Sequence, residues 1–145
     1  MGAPELPQLS QLAVGDEVAR RRYPVQRIDL VRYAGASGDF NPIHWNPRFA
    51  TEVGLPDVIA HGMFTMAVAV RLVVDWCDDP GAVLDYGVRF TKPVVVPDPD
   101  GAEVDVVAVV GVIDTAAGTV RLDLTATCAG VGVLGKARAV VRLRS

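Results

Sequence analysis

An aspartate and a histidine flank an Asn-Pro pair in the segment Ala36-Ser37-Gly38-Asp39-Phe40-Asn41-Pro42-Ile43-His44. A carboxylate and an imidazole held close together can act as a general acid/base pair near neutral pH. A second segment, Ala60-His61-Gly62-Met63, puts a glycine where a long apolar run begins. If that run is a helix, its first N–H groups lack intrahelical partners, and the helix dipole favours negative charge there. Glycine has no Cβ, so a carbonyl oxygen can approach its N–H closely. The two segments together offer proton transfer beside a place for a developing oxyanion.

The spacing of the pair sets a structural condition. Five residues on a regular helix turn through roughly 500°, so the two side chains would diverge by about 140°. On a strand an odd spacing puts them on opposite faces. They meet only if the chain bends between them. Pro42 breaks any regular ladder and drives Asn41 out of the α region, and Gly38 frees the backbone just before. The Asn41 amide is placed to tie that turn or to hold one of the pair. The same residues also make an ordinary turn, with Asp39 as a helix cap, and an Asp-x4-His match does not decide between the two. His61 reads as the cap of the following helix and Gly62 as its packing glycine, beside the oxyanion reading.

The elements that must hold these groups follow from periodicity. Glu17 to Val25 reads as a strand. A helix is predicted from Arg27 to Ser37, with Ile28, Val31 and Tyr33-Ala34 on or near one face, Asp29 in its first turn and Gly38 as its stop. Arg48 to Val53 reads as a short helix closed by Gly54. The helix from Gly62 to about Cys77 is apolar on nearly every side, which predicts burial all round, with Arg71 and Asp75 paired where it emerges. From Pro80-Gly81 onward the period is two, as in strands with one buried face. The buried sets are Tyr86, Val88 and Phe90; Val104 to Val112; Val120 to Cys128; and Ala137 to Leu143. Asp114 to Gly118 reads as a hairpin and Pro97 to Gly101 as a turn. The sum is a single α+β domain over residues 1–145, an antiparallel sheet wrapped around one long central helix, with a second subunit over whatever the sheet leaves bare.

Composition narrows the function classes. The chain of 145 residues is 50% hydrophobic and 21% charged, which excludes disorder. A net charge of −3, from 14 basic and 17 acidic residues, is no nucleic-acid signature. Lys136, Arg138, Arg142 and Arg144 share one strand face, which reads as solvated sheet surface or as a site for phosphates or an acidic carrier. Cys77 and Cys128 read as buried free thiols. There is no His-x3-His or clustered Cys/His ligand spacing and no glycine-rich phosphate loop, so neither a metal nor a nucleotide cofactor is expected. The stretch from Met63 to Val74, broken by Arg71, is too short for a membrane span, and the N-terminal residues lack a signal pattern. A soluble cytoplasmic protein is the expectation.

The chain resembles the MaoC-like, (R)-specific enoyl-thioester hydratase family. The likeness rests on Tyr33, Ala36-Ser37, Gly38-Asp39-Phe40-Asn41-Pro42-Ile43-His44 and Ala50. It extends to Ala60-His61-Gly62-Met63 and to Val88-Arg89-Phe90-Thr91-Lys92-Pro93-Val94, and it spans about Leu12 to Leu143. Within the family the chain looks most like catalytic B-type subunits of actinobacterial (3R)-hydroxyacyl-acyl carrier protein dehydratases. The resemblance implies a hot-dog fold. It also implies a dimer, with itself or with a related non-catalytic subunit. It assigns Asp39 and His44 as the catalytic pair, the Gly62 N–H as an oxyanion donor and Asn41-Pro42 as loop support. Phe64 and Thr65 would line the acyl tunnel. The implied reaction is reversible addition of water to a trans-2-enoyl thioester of coenzyme A or acyl carrier protein. A hot-dog thioesterase and a non-catalytic acyl-binding subunit are the competing readings.

Overall fold

Five long strands carry the alternating apolar positions. The computed structural model describes residues 6–143. Its elements are β1 (Glu17–Val25), α1 (Arg27–Ser37), α2 (Pro47–Glu52), α3 (Gly62–Cys77), β2 (Val83–Phe90), β3 (Ala102–Asp114), β4 (Thr119–Cys128), the two-residue β5 (Val131–Gly132) and β6 (Leu134–Arg142). The sheet order is β1-β3-β4-β6-β2, with β5 against β4, and every pairing is antiparallel. Val104, Val106, Ala108 and Val110 of β3, Val120, Leu122, Leu124 and Ala126 of β4, and Ala137, Ala139 and Val141 of β6 are buried. They form one core with Ala69, Leu72, Val73 and Cys77 of α3. This is the α+β hot-dog arrangement, a sheet wrapped on a central helix. No helix among the described residues is long and apolar enough to cross a membrane.

Local chemistry sets the element ends. Gln26 and Asp29 exchange backbone and side-chain hydrogen bonds at the start of α1, and Gly38 stops it in the left-handed region at φ 77°. Asn46 caps α2 by accepting from the Phe49 N–H, so the short helix begins at Pro47, one residue before the expected Arg48. Ala117 N–H donates to the Asp114 carboxylate in the hairpin between β3 and β4. Arg71 faces Asp75 at 3.9 Å as expected, but Arg21 of β1 holds that carboxylate closer, at 3.1 Å.

Several side-chain assignments differ from the periodic reading. On α1 the buried pair is Leu30 and Ala34, while Ile28 and Val31 are exposed. Val112 is exposed because the register between β3 and β4 slips at Gly111, and one extra residue reverses the alternation. A Cβ at Gly111 would press on the Asp123 carboxylate and the Arg121 guanidinium, which would have to shift to admit it. Cys128 is half-buried, where full burial was expected. Phe90, expected inside, is exposed. The sheet buries only one side of α3, so Met63 and Ala67 remain exposed instead of lying in a core. Lys136, Arg138 and Arg142 are exposed on the outer sheet face, and Arg144 lies outside the described residues.

One polar contact fastens the helix to the edge strand: the Tyr86 hydroxyl of β2 donates to the Met66 carbonyl of α3 at 2.7 Å. Tyr86→Phe should lower the unfolding free energy by about 1 kcal/mol, the net worth of one such bond, as measured by urea denaturation. An unchanged midpoint would show the contact to be neutral.

Candidate active site

The bend between Asp39 and His44 is built from side-chain oxygens capping successive N–H groups. Ser37 Oγ accepts from Asp39 N–H at 3.2 Å, Asp39 Oδ1 from Asn41 N–H at 3.1 Å, and Asn41 Oδ1 from Ile43 N–H at 3.2 Å. Pro42 then opens a single 3-10 turn, Pro42–His44. Asp39 is therefore no helix cap; its carboxylate closes an Asx turn. Outside the turn, the Trp45 indole N–H donates to the Phe40 carbonyl at 2.9 Å.

This bend brings the pair together. His44 Nε2 lies 3.8 Å from Asp39 Oδ2, with the imidazole side chain 8% exposed and the carboxylate 52% exposed. His44 Nδ1 is 2.7 Å from the Ile59 carbonyl. A carbonyl only accepts, so Nδ1 carries a proton, and in the neutral imidazole Nε2 presents a lone pair. An ionised carboxylate and a bare imidazole nitrogen are both acceptors. A gap of 3.8 Å is too long for a direct hydrogen bond. It suits one water lying about 2.8 Å from each and donating one proton to each. Such a water keeps an oxygen lone pair free for attack.

His61 joins the pair, beyond its reading as a helix cap. It occupies the cap position of α3, but its side chain makes no cap bond. Its ring stacks on His44 with centroids 3.8 Å apart and planes 22° apart. Its Nε2 lies 3.1 Å from the Asp39 carbonyl and donates to it, and the edge of Tyr33 packs against it at 4.7 Å. Its Nδ1 is buried without a hydrogen-bond partner among the described residues. Burial pushes the His61 pKa down, helped by the neighbouring His44, while the Asp39 carbonyl bond and the Asp39 charge pull the other way. The available signal was its place directly before Gly62, in a chain with two histidines. Ligand atoms of Asp39, His44 and His61 lie within 4.8 Å of one another. The two rings are nearly parallel, so their in-plane lone pairs do not converge on one ion as a tetrahedral metal requires.

Beside His44 opens a cavity of about 350 Å³, walled largely by Ile43, Ile59, Val94, Val133 and Leu134. Gly62 and Thr65, both in the first turn of α3, line it. Phe64 does not; it packs edge-on against Tyr33 at 5.6 Å, because helix geometry turns adjacent residues to different faces. Phe90 and Lys92 line the cavity instead, although the sequence reading took their segment only as a strand. A Cβ on Gly62 would sit 3.1 Å from Phe90 Cε1.

A family model described as "MaoC like domain" matches residues 10–127. The 3-hydroxyacyl-thioester dehydratase X of Mycobacterium tuberculosis is 48% identical over 66 residues, covering 46% of this chain and 22% of that relative. A solved MaoC-like dehydratase superposes with a TM-score of 0.92 at 39% identity, over 95% of this chain and 42% of that one. An (R)-hydratase from A. caviae involved in PHA biosynthesis superposes with a TM-score of 0.80 at 27% identity, over 91% of this chain and 97% of that one. The chain thus spans less than half the length of the first two and nearly all of the third.

Two predictions follow from this geometry. The fold favours neutral His61, so the unfolded chain binds more protons. The stability His61 contributes is present above its ordinary pKa of 6.5 and is lost as pH falls through the lowered folded value. Melting temperatures from pH 8 to pH 5 should fall more steeply in the wild type than in His61→Phe; equal slopes would contradict this. Gly62→Ala should fold yet lose up to about 10²-fold in turnover, the scale of one oxyanion donor, with partial recovery in Gly62→Ala/Phe90→Ala. Wild-type turnover in the single variant would show that access to the residue-62 N–H does not require glycine.

Proposed function

The chain belongs to the MaoC-like dehydratase family, and from that membership we propose that it reversibly hydrates trans-2-enoyl thioesters to (R)-3-hydroxyacyl thioesters. The observation that carries this reading is the Asp39–His44 gap of 3.8 Å beside an apolar cavity that reaches the first turn of α3. In hydration, a water held by both acceptors attacks C3 and gives one proton to the pair. The C2–C3 π electrons move toward the thioester oxygen. The Gly62 N–H and the α3 N-terminus stabilise the resulting negative charge. The pair returns a proton to C2 on the same face. One water is added, the thioester stays intact, and no oxidant or cofactor is consumed. Asn41 and Pro42 hold the loop in its bent form, and Thr65 helps to shape the acyl site.

We further propose that the carrier is coenzyme A or acyl carrier protein, and that the chain acts as a catalytic B-type subunit. The retained Asp39 and His44 support catalysis over passive acyl binding. A second hot-dog chain, either a copy or a relative, would cover the exposed Met63 side of α3 and extend the sheet at β2. That strand ends the sheet order.

Purified protein supplied with enoyl thioesters of several lengths on both carriers should lose enoyl absorbance without releasing thiol, and native mass measurement should show a two-chain assembly. Thiol release would instead mark a thioesterase. Inactivity alone and with a co-purified partner would mark an acyl-binding subunit. Asp39→Ala and His44→Ala should remain folded and each lose at least about 10²-fold in kcat, the usual worth of a placed acid/base group. Near-normal turnover in either would overturn the assignment.

A further inference from the structure

We infer that His61 is a positioning residue, its ring face and its Nε2–H together fixing the His44 imidazole and the Asp39 backbone relative to each other. This inference rests on the Asp39–His44 assignment above.

His61 is 2% exposed and leaves Nδ1 without a partner among the described residues. A buried nitrogen in that state costs stability that an apolar side chain of similar size would avoid. The ring combines two things that no apolar side chain supplies together. It donates to the Asp39 carbonyl at 3.1 Å, joining the start of α3 to a loop 22 residues earlier. It also offers a flat face to His44 at 3.8 Å. The stack limits tilting of the His44 plane, while the Ile59 carbonyl selects which His44 nitrogen carries hydrogen. Rotating His44 by half a turn would break that bond.

The charge state fits the same role. His44 gains a proton during turnover if it serves as the base. A neutral imidazole face tolerates a cation above it, whereas a protonated His61 would repel one. The titratable groups facing His61 are Asp39, His44 and Tyr33. Burial, the largest influence on its pKa, favours the neutral form.

The chain has two histidines, so imidazole nitrogen NMR of the intact protein can resolve both. At pH 8 the expected pattern is Nδ1–H for His44 and Nε2–H for His61. A His61 carrying hydrogen on Nδ1 would overturn the inference even if no variant folds. His61→Phe keeps a ring and loses the donor; His61→Gln keeps a donor and loses the ring. Both should leave KM within about twofold and lower kcat about 10-fold or more, the scale of small misplacement, with a shift in the acidic limb of the kcat–pH profile. The His44 nitrogen signals should move in both variants. A folded His61→Phe with wild-type kcat, pH profile and His44 signals would overturn the role. If the wild type hydrates no enoyl thioester, the proposed reaction fails, while the nitrogen spectra still decide whether His61 holds His44.

Discussion

The hydrogen bond from His44 Nδ1 to the Ile59 carbonyl, 2.7 Å long, is the interaction on which the site depends. It fixes the imidazole tautomer and so decides that Nε2 is the basic nitrogen facing Asp39. The same residue anchors the loop in the other direction, because the Ile59 N–H donates to the Ile43 carbonyl at 3.1 Å. Ile59 is in turn bridged to Val95, and the flanking Ala60 and Val96 N–H groups donate to Val94 and Val58. The segment after β2 therefore supports the segment before α3, which supports the loop bearing Asp39 and His44. Arg27 of α1 closes this frame, donating to the Val96 carbonyl and to Asp57. The loop is thus tied to its neighbours through backbone hydrogen bonds.

Burial divides the roles within the pair. The His44 ring is nearly enclosed and touches the cavity, whereas the Asp39 carboxylate is about half exposed. The imidazole meets a largely apolar wall and a helix N-terminus. The carboxylate faces solvent. His61 sits beneath both, touching one through its ring and the other through a backbone carbonyl.

Much of this was legible in the sequence because breakers mark the elements. Gly38 and the helix-starting Gly62 gave α1 and α3 their bounds, and Asn41-Pro42 gave the bend that the five-residue spacing required. Period-two alternation named nearly every buried residue of β4 and β6. The misreadings share a different cause. Val112 turned outward through a bulge that alternation does not encode. Ile28 and Val31 are apolar, yet the core takes the face bearing Leu30 and Ala34. Phe90 faces the cavity and Phe64 turns toward Tyr33, because cavity walls are set by tertiary packing. His61 was missed because its partners lie 17 and 22 residues away and meet it only through the fold.

The most direct measurement is hydration of a trans-2-enoyl thioester in deuterated water, with the product analysed by NMR. The proposed reaction predicts an intact (R)-3-hydroxyacyl thioester carrying one solvent deuterium at C2, on the same face as the new hydroxyl at C3. Deuterium on the opposite face would contradict a single water and a single acid/base pair acting from one side, and an (S) product would contradict the proposed (R) specificity. Cleavage of the thioester with the double bond retained would contradict the reaction itself.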